Sequence, residues 1–180
     1  MPVAKLSTLQ KHAAFFDRNS DGLVRYGETV SGLKALGMPT VAAYPAAFAI
    51  HAGLGPKTDG GFNFTIKNIA RGKHEGDTDV FTADGGFDKK QFNKLFARYD
   101  TNESGSLSSA EISVMQNDRA KTTFGKIATK GEFTLLMSLA GDTTEKSADG
   151  KSAKALSKER LQSFYDGSLF YTVEAERAAG

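Results

Sequence analysis

Asp17-Arg18-Asn19-Ser20-Asp21-Gly22-Leu23-Val24-Arg25-Tyr26-Gly27-Glu28 decides how this 180-residue chain is read. The stretch fits an EF-hand calcium loop, which sits between two helices and offers a hard cation roughly six to eight oxygens. Asp17, Asn19 and Asp21 carry side-chain oxygens at loop positions 1, 3 and 5. Leu23 offers its main-chain carbonyl at position 7, and Glu28 at position 12 can give two oxygens at once. Gly22 permits the sharp turn at position 6, and Val24 is the apolar residue that anchors such a loop to a partner strand. Arg25 stands at position 9, where an oxygen donor is usual. A water is expected to serve there, and the arginine charge opposes the cation.

The pattern recurs in Asp100-Thr101-Asn102-Glu103-Ser104-Gly105-Ser106-Leu107-Ser108-Ser109-Ala110-Glu111. Asp100, Asn102, Ser104, the Ser106 carbonyl and Glu111 take the ligand positions, with Gly105 and Leu107 as turn and anchor. This loop has two ionised ligands where the first has three, so weaker binding is expected of it. A non-binding turn kept for structure is the alternative.

Helical periodicity flanks both loops. Leu6, Leu9, Ala13 and Phe16 mark a helix over residues 5–16, with His12 toward its apolar side. Val30, Leu33 and Leu36 mark the helix leaving the first loop, which is expected to stop near Gly37 and Pro39. Phe92, Leu95, Phe96 and Tyr99 precede the second loop, and Ile112 and Met115 follow it. The fold class expected is mainly α: EF-hand helix–loop–helix units with an inserted central segment, in one domain over residues 1–180.

The insert includes an uncharged apolar run at 41–54, interrupted by Pro45. A spanning helix needs about 20 apolar residues, so this run predicts a buried helix or a shallow interfacial contact. Residues 141–155 are rich in Gly, Ser, Thr, Asp and Lys and read as a flexible surface loop. A carboxy-terminal helical block at 156–178 follows, with Ser157 as a cap. A third, degenerate hand over Asp149–Arg160 is expected to bind no calcium, because Arg160 replaces the position-12 glutamate.

Composition removes several function classes. A net charge of +2 gives no basis for nucleic-acid binding. With no cysteine there is no disulfide, thiolate metal ligand or cysteine nucleophile. Met1-Pro2-Val3-Ala4-Lys5 shows no apolar signal segment, so an intracellular address is expected.

Four further segments carry a family resemblance: Leu9–Asp17; Ile66-Lys67-Asn68-Ile69 with Arg71-Gly72-Lys73-His74 and the later Asp77, Val80 and Phe81; Ala128–Phe133; and Leu156–Glu159 with Tyr165–Tyr171, Glu176 and Arg177. They resemble the caleosins, calcium-binding peroxygenases of lipid droplets, over nearly the whole chain. The resemblance implies haem b held through two histidines, which fall at His12 and His74 here and would be both cofactor-binding and catalytic. It implies a calcium-dependent transfer of oxygen from a fatty-acid hydroperoxide to unsaturated lipids, a sulfide or an aromatic amine, without NADPH. One histidine would be the proximal ligand, and the other would dissociate or serve as acid/base; His12 is favoured as proximal. Phe15, Phe16, Phe62, Phe64, Phe81, Phe87 and Phe170 are candidates for the pocket, though most read as ordinary core.

The chain departs from the family in three places. Its apolar segment is short, with Pro39, Pro45 and Pro56 scattered, which weakens the case for droplet anchoring. His51 is an additional histidine that could compete for iron or cap a helix end. Glu75-Gly76 follows His74 where the family has Gly-Ser. The location expected is cytosolic, or peripheral on lipid droplets or membranes. A non-enzymatic EF-hand protein on such surfaces is the alternative function.

Overall fold

The first helix starts where its cap dictates. In the computed structural model, which describes residues 6–72, 80–119, 134–146 and 150–180, Ser7 Oγ accepts from Gln10 N at 3.3 Å. The Gln10 side chain accepts from Ser7 N at 2.9 Å. This capping box opens α1, Thr8–Ala14, which is shorter at both ends than its apolar periodicity predicts. The described residues are mainly helical, with small antiparallel sheets. They divide into two compact units. The first comprises the described residues of Met1–Lys73, Phe81–Phe87 and Phe164–Gly180, and the second those of His74–Val80 and Asp88–Ser163.

In the first unit α1 leads through the first loop to β1 (Leu23–Val24) and α2 (Tyr26–Ala35). Gly37 then turns the chain at φ +87°, a left-handed conformation that glycine adopts without strain. Pro39 precedes α3, Thr40–Thr58. This helix holds the whole apolar run 41–54 and continues through Pro45 and Pro56. Ala43, Ala47, His51, Gly55 and Thr58 form its buried stripe, while Val41, Tyr44 and Phe48 are exposed at 86%, 50% and 59%. The small buried residues let α3 lie close against α2 and the 3-10 helix Ile66–Gly72. No helix among the described residues is long and apolar enough to cross a membrane.

Between α3 and the 3-10 helix runs β2, Phe64–Thr65, which pairs antiparallel with β1, Val24 opposite Phe64. Asp59 holds this turn: its carboxylate accepts from Thr65 N at 2.7 Å and Asn68 Nδ2 at 2.5 Å. The first loop's anchor strand therefore finds its partner inside the central segment. The last helix, α8 (Leu169–Ala179), adds Leu169 and Val173 to a core made by Phe15, Phe16, Val24, Leu33, Leu36 and Phe64.

The second unit starts from α4, Lys89–Tyr99, capped by Asp88 Oδ1 accepting from Lys90 N and Gln91 N. Phe92, Leu95, Phe96 and Tyr99 are buried, as their spacing predicts. The second loop runs into β3 (Ser106–Ser108) and α5 (Ser109–Arg119), where Ile112 and Met115 face the core. Helical residues 134–140 (α6) add Leu136 and Ala140.

Beyond α6 the structure corrects the expectation of a loop over 141–155. Thr143–Lys146 form β4 and Ser152–Ser157 form β5, in a sheet of order β3-β5-β4. Glu145 lies opposite Ala153, and Leu107 opposite Leu156. The polar composition of β4 hides it from periodicity, because its backbone pairing is what holds it. Only Ala155 and Leu156 of β5 are fully buried. Ser157 caps α7 (Lys158–Asp166) as expected, its Oγ accepting from Arg160 N at 3.1 Å. The division between the two units falls inside α7. Of the proposed third hand, Asp149 lies outside the described residues, and residues 152–157 are a full strand.

Candidate functional site

Both candidate calcium loops close in the same way. In the first, Asp17 Oδ1 and Oδ2 accept from Asp21 N (3.1 Å) and Gly22 N (2.7 Å), and Asn19 Oδ1 accepts from Asp21 N (3.0 Å). In the second, Asp100 Oδ1 and Oδ2 accept from Ser104 N (2.9 Å) and Gly105 N (3.0 Å), and Asn102 Oδ1 accepts from Ser104 N (3.0 Å). Positions 4 and 6 are left-handed in both: Ser20 and Gly22, then Glu103 and Gly105. Left-handed non-glycine residues are uncommon, and no other described non-glycine residue has a positive φ. The shared path turns the oxygens of positions 1, 3 and 5 toward the loop's own interior.

The position-12 carboxylates fasten the loop ends. Glu28 accepts from Asn19 N (3.3 Å) and Arg25 N (2.9 Å). Glu111 accepts from the N–H and hydroxyl of both Thr101 and Ser108, at 2.8–3.0 Å. Burial pushes the Glu111 carboxyl up, but these four hydrogen bonds outweigh it and hold its pKa below the ordinary value.

Arg25 does more than leave position 9 without an oxygen. Its Nη1 lies 2.6 Å from Asp21 Oδ2 and 3.6 Å from Glu28 Oε2, joining positions 5 and 12. The Leu23 N–H, followed by this guanidinium, holds the Asp21 carboxyl below the usual carboxylate range. Sequence reading gives the opposing charge but not the ion pairs.

Among the described residues no group of three or more His, Cys, Asp or Glu side chains converges as a metal centre. The donors are instead mixed oxygens: carboxylate, amide, hydroxyl and carbonyl. Such a set suits calcium rather than a transition metal. In the first loop the guanidinium stands as a cation between two of the candidate ligand carboxylates, Asp21 and Glu28. On both counts the residues fit calcium.

His12, on α1, is half-buried in an aromatic cluster. Its ring centroid is 4.4 Å from that of Phe170 and 4.8 Å from that of Phe164. Phe15 and Phe16 complete the cluster, each within 5.4 Å of Phe170, and Tyr171 stacks edge-on to Phe15. Gly167 brings these carboxy-terminal rings against α1. It has φ +82°, and a Cβ there would lie 2.8 Å from Thr8 O and 3.4 Å from His12 N. Nothing in the local sequence marks Gly167 as a neighbour of His12.

His51 is placed differently. It is fully buried on α3, with Nδ1 2.9 Å from Phe62 O and Nε2 2.8 Å from Thr29 Oγ1. A carbonyl can only accept, so Nδ1 carries the proton and Nε2 accepts from Thr29. Burial outweighs the hydrogen bond to Phe62 and holds its pKa below the ordinary value. Both ring nitrogens are thus engaged in joining α2, α3 and the turn before β2. His51 neither caps a helix end nor presents a nitrogen to iron. His74 lies outside the described residues.

The candidate pocket residues separate accordingly. Phe15, Phe16 and Phe170 surround His12, whereas Phe62 and Phe64 stack on His51 at 5.1 and 5.0 Å. Phe81 and Phe87 pair across a turn.

The caleosin family model, described as caleosin related protein, matches residues 4–174. The chain belongs to the caleosin family. A relative named peroxygenase, from Lilium longiflorum, is 35% identical over 97% of this chain and 72% of its own length. A second, named probable peroxygenase 4, from Arabidopsis thaliana, is 32% identical over 95% of this chain and 87% of its own. No solved structure matches. In this caleosin both candidate calcium loops, His12 and its aromatic cluster lie within the matched residues.

Proposed function

We propose that this caleosin is a peroxygenase that uses haem b and calcium, takes oxygen from a fatty-acid hydroperoxide and passes it to an unsaturated lipid. Membership across residues 4–174 and the names of two relatives support the enzyme class. The observation that carries the site is His12, half-buried among Phe164, Phe170, Phe15 and Phe16. An imidazole is a strong iron ligand, and flat apolar rings suit both a porphyrin and an acyl chain. The donor chemistry therefore fits haem, with His12 and His74 as the residues that would hold it. The chemistry such a cofactor supplies is cleavage of the hydroperoxide O–O bond: ROOH and an alkene become ROH and an epoxide.

The chain's own part is positional. Phe164 and Phe170 limit the tilt of the His12 ring and exclude water from one side of it. α1, which bears His12, leads directly to Asp17, so a cation in the first loop would stiffen the helix end nearest the ring. Tyr171 Oη donates to Lys11 O at 3.4 Å and joins α8 to the same helix. Haem reconstitution tests the reading. The wild type is expected to develop a Soret band and hydroperoxide-driven sulfoxidation. His12→Ala and His74→Ala should each reduce one or both, while His51→Gln should keep them. A wild type that takes up no haem under any condition ends the enzyme reading.

The alternative, a non-enzymatic calcium-binding protein at a lipid surface, draws on the exposed Val41, Tyr44 and Phe48. The same face would give an enzyme peripheral access to lipid droplets or membranes.

A further inference from the structure

The second loop receives a carboxylate from outside its own twelve residues. Glu145, on β4, accepts from Asn102 Nδ2 at 3.0 Å and from Ser104 Oγ at 2.8 Å, and its Oε1 also meets Ser106 Oγ. One side chain thus touches the residues at positions 3, 5 and 7. Ser104 Oγ in turn lies 3.4 Å from Asp100 Oδ1 and 3.2 Å from both Ser106 O and Ser106 Oγ. Five oxygens crowd together here: Asp100 Oδ1, Ser104 Oγ, Ser106 O, Ser106 Oγ and Glu145 Oε1. Within the group only the two serine hydroxyls carry a proton, and from outside it Ser104 N donates to Asp100 Oδ1 at 2.9 Å and Ser106 N to Ser104 Oγ at 3.2 Å. Such a surplus of acceptors, two of them ionised, is what a hard cation satisfies.

We propose that Glu145 is a calcium ligand of the second loop, reaching in from β4 to join Asp100, Asn102, Ser104 and the Ser106 carbonyl. The inference rests on the calcium reading of residues 100–111 and deepens it. Serine is a weak, uncharged donor at position 5, where the first loop has Asp21. Glu145 restores the missing negative charge at that point of the ring. With Asp100 and Glu111 it raises the ionised ligands to three, equal to the first loop. The second loop is then not the weaker site that its own residues predict, since among the described residues no arginine is paired across it as Arg25 is across the first. The register that places Glu145 runs through the sheet: β5 pairs with β3, which is formed by positions 7 to 9 of the loop, and β4 pairs with β5. Calcium in this loop would tie β4 to α4 and α5.

Calorimetric titration of the full chain with calcium tests this. Glu28→Gln is used as the background so that the second loop dominates. There, Glu145→Gln should lower the affinity on the order of tenfold, by removing one ionised ligand while keeping the side chain's shape. The calcium-free thermal midpoint should not fall, because glutamine still bonds Asn102 and Ser104 and removes one of the two carboxylates that share Ser104 Oγ. The rise of the midpoint on adding calcium should shrink. An affinity unchanged or increased by Glu145→Gln, with Glu111→Gln still weakening it, would make Glu145 a brace of the empty loop and overturn the inference alone. No calcium uptake in the Glu28→Gln background would remove the calcium reading of the second loop and the inference with it.

Discussion

Arg25 lies across its own loop, and single residues like it set the expected behaviour of the first site. Its guanidinium is 2.6 Å from Asp21 and 3.6 Å from Glu28, so a calcium ion entering the loop would have to displace an internal cation. Arg25→Gln is therefore expected to tighten calcium binding at residues 17–28 several-fold, read by calorimetry with Glu111→Gln silencing the second loop. Unchanged or weaker binding would show that the arginine does not compete. His51 sets a different response. Its folded pKa lies below the ordinary 6.5. Between the two values the unfolded chain takes up a proton and the folded chain does not. The stability contributed by neutral His51 is complete above pH 6.5 and falls as the pH drops toward the folded value. Urea unfolding at pH 7.5 and 5.5 should show this loss in the wild type. His51→Gln should be less stable at pH 7.5 but should lose less between the two.

At the scale of elements, the α7–α8 corner is the contact on which His12 depends. Gly167 allows a left-handed turn and an approach to Thr8 O that no side chain fits. Gly167→Ala is expected to cost about 1–3 kcal/mol. Thermal unfolding measures the cost, and haem titration should show weaker uptake as Phe164 and Phe170 move from the imidazole. A variant of wild-type stability and uptake would mean the corner adjusts freely. The same scale separates what the sequence shows from what it hides. α4 is legible because Phe92, Leu95, Phe96 and Tyr99 repeat at helical spacing and all are buried. β4 is not, because Thr143-Thr144-Glu145-Lys146 has no apolar alternation and exists through its register with β5. α3 is half legible: the uncharged run 41–54 is plain, but the helix extends to Thr58 and its buried stripe is made of alanine, glycine, threonine and a histidine.

At the scale of the whole molecule, the exposed face of α3 bears on where the enzyme works. Val41, Tyr44 and Phe48 recur at i, i+3 and i+7, and Phe62 extends the patch by stacking 5.6 Å from Phe48. Replacing Val41, Tyr44 and Phe48 together with serine should abolish flotation with phospholipid-coated oil droplets and leave the thermal midpoint within a few degrees, since none of the three is buried. Flotation that survives would place lipid contact elsewhere. The sequence by itself determined the path of the two loops, because each candidate ligand position and turn glycine is local and the backbone there follows from short-range hydrogen bonds. It also determined the helices beside them and the family, since those signals are carried by spacing and residue type. Tertiary structure alone decided that β1 pairs with β2 and β3 with β5. It decided that His51 is spent on Thr29 and Phe62, that Gly167 presses two rings against His12, and that Glu145 enters the second loop. Each joins residues far apart in the chain, where pairing depends on backbone register and packing that no local pattern records.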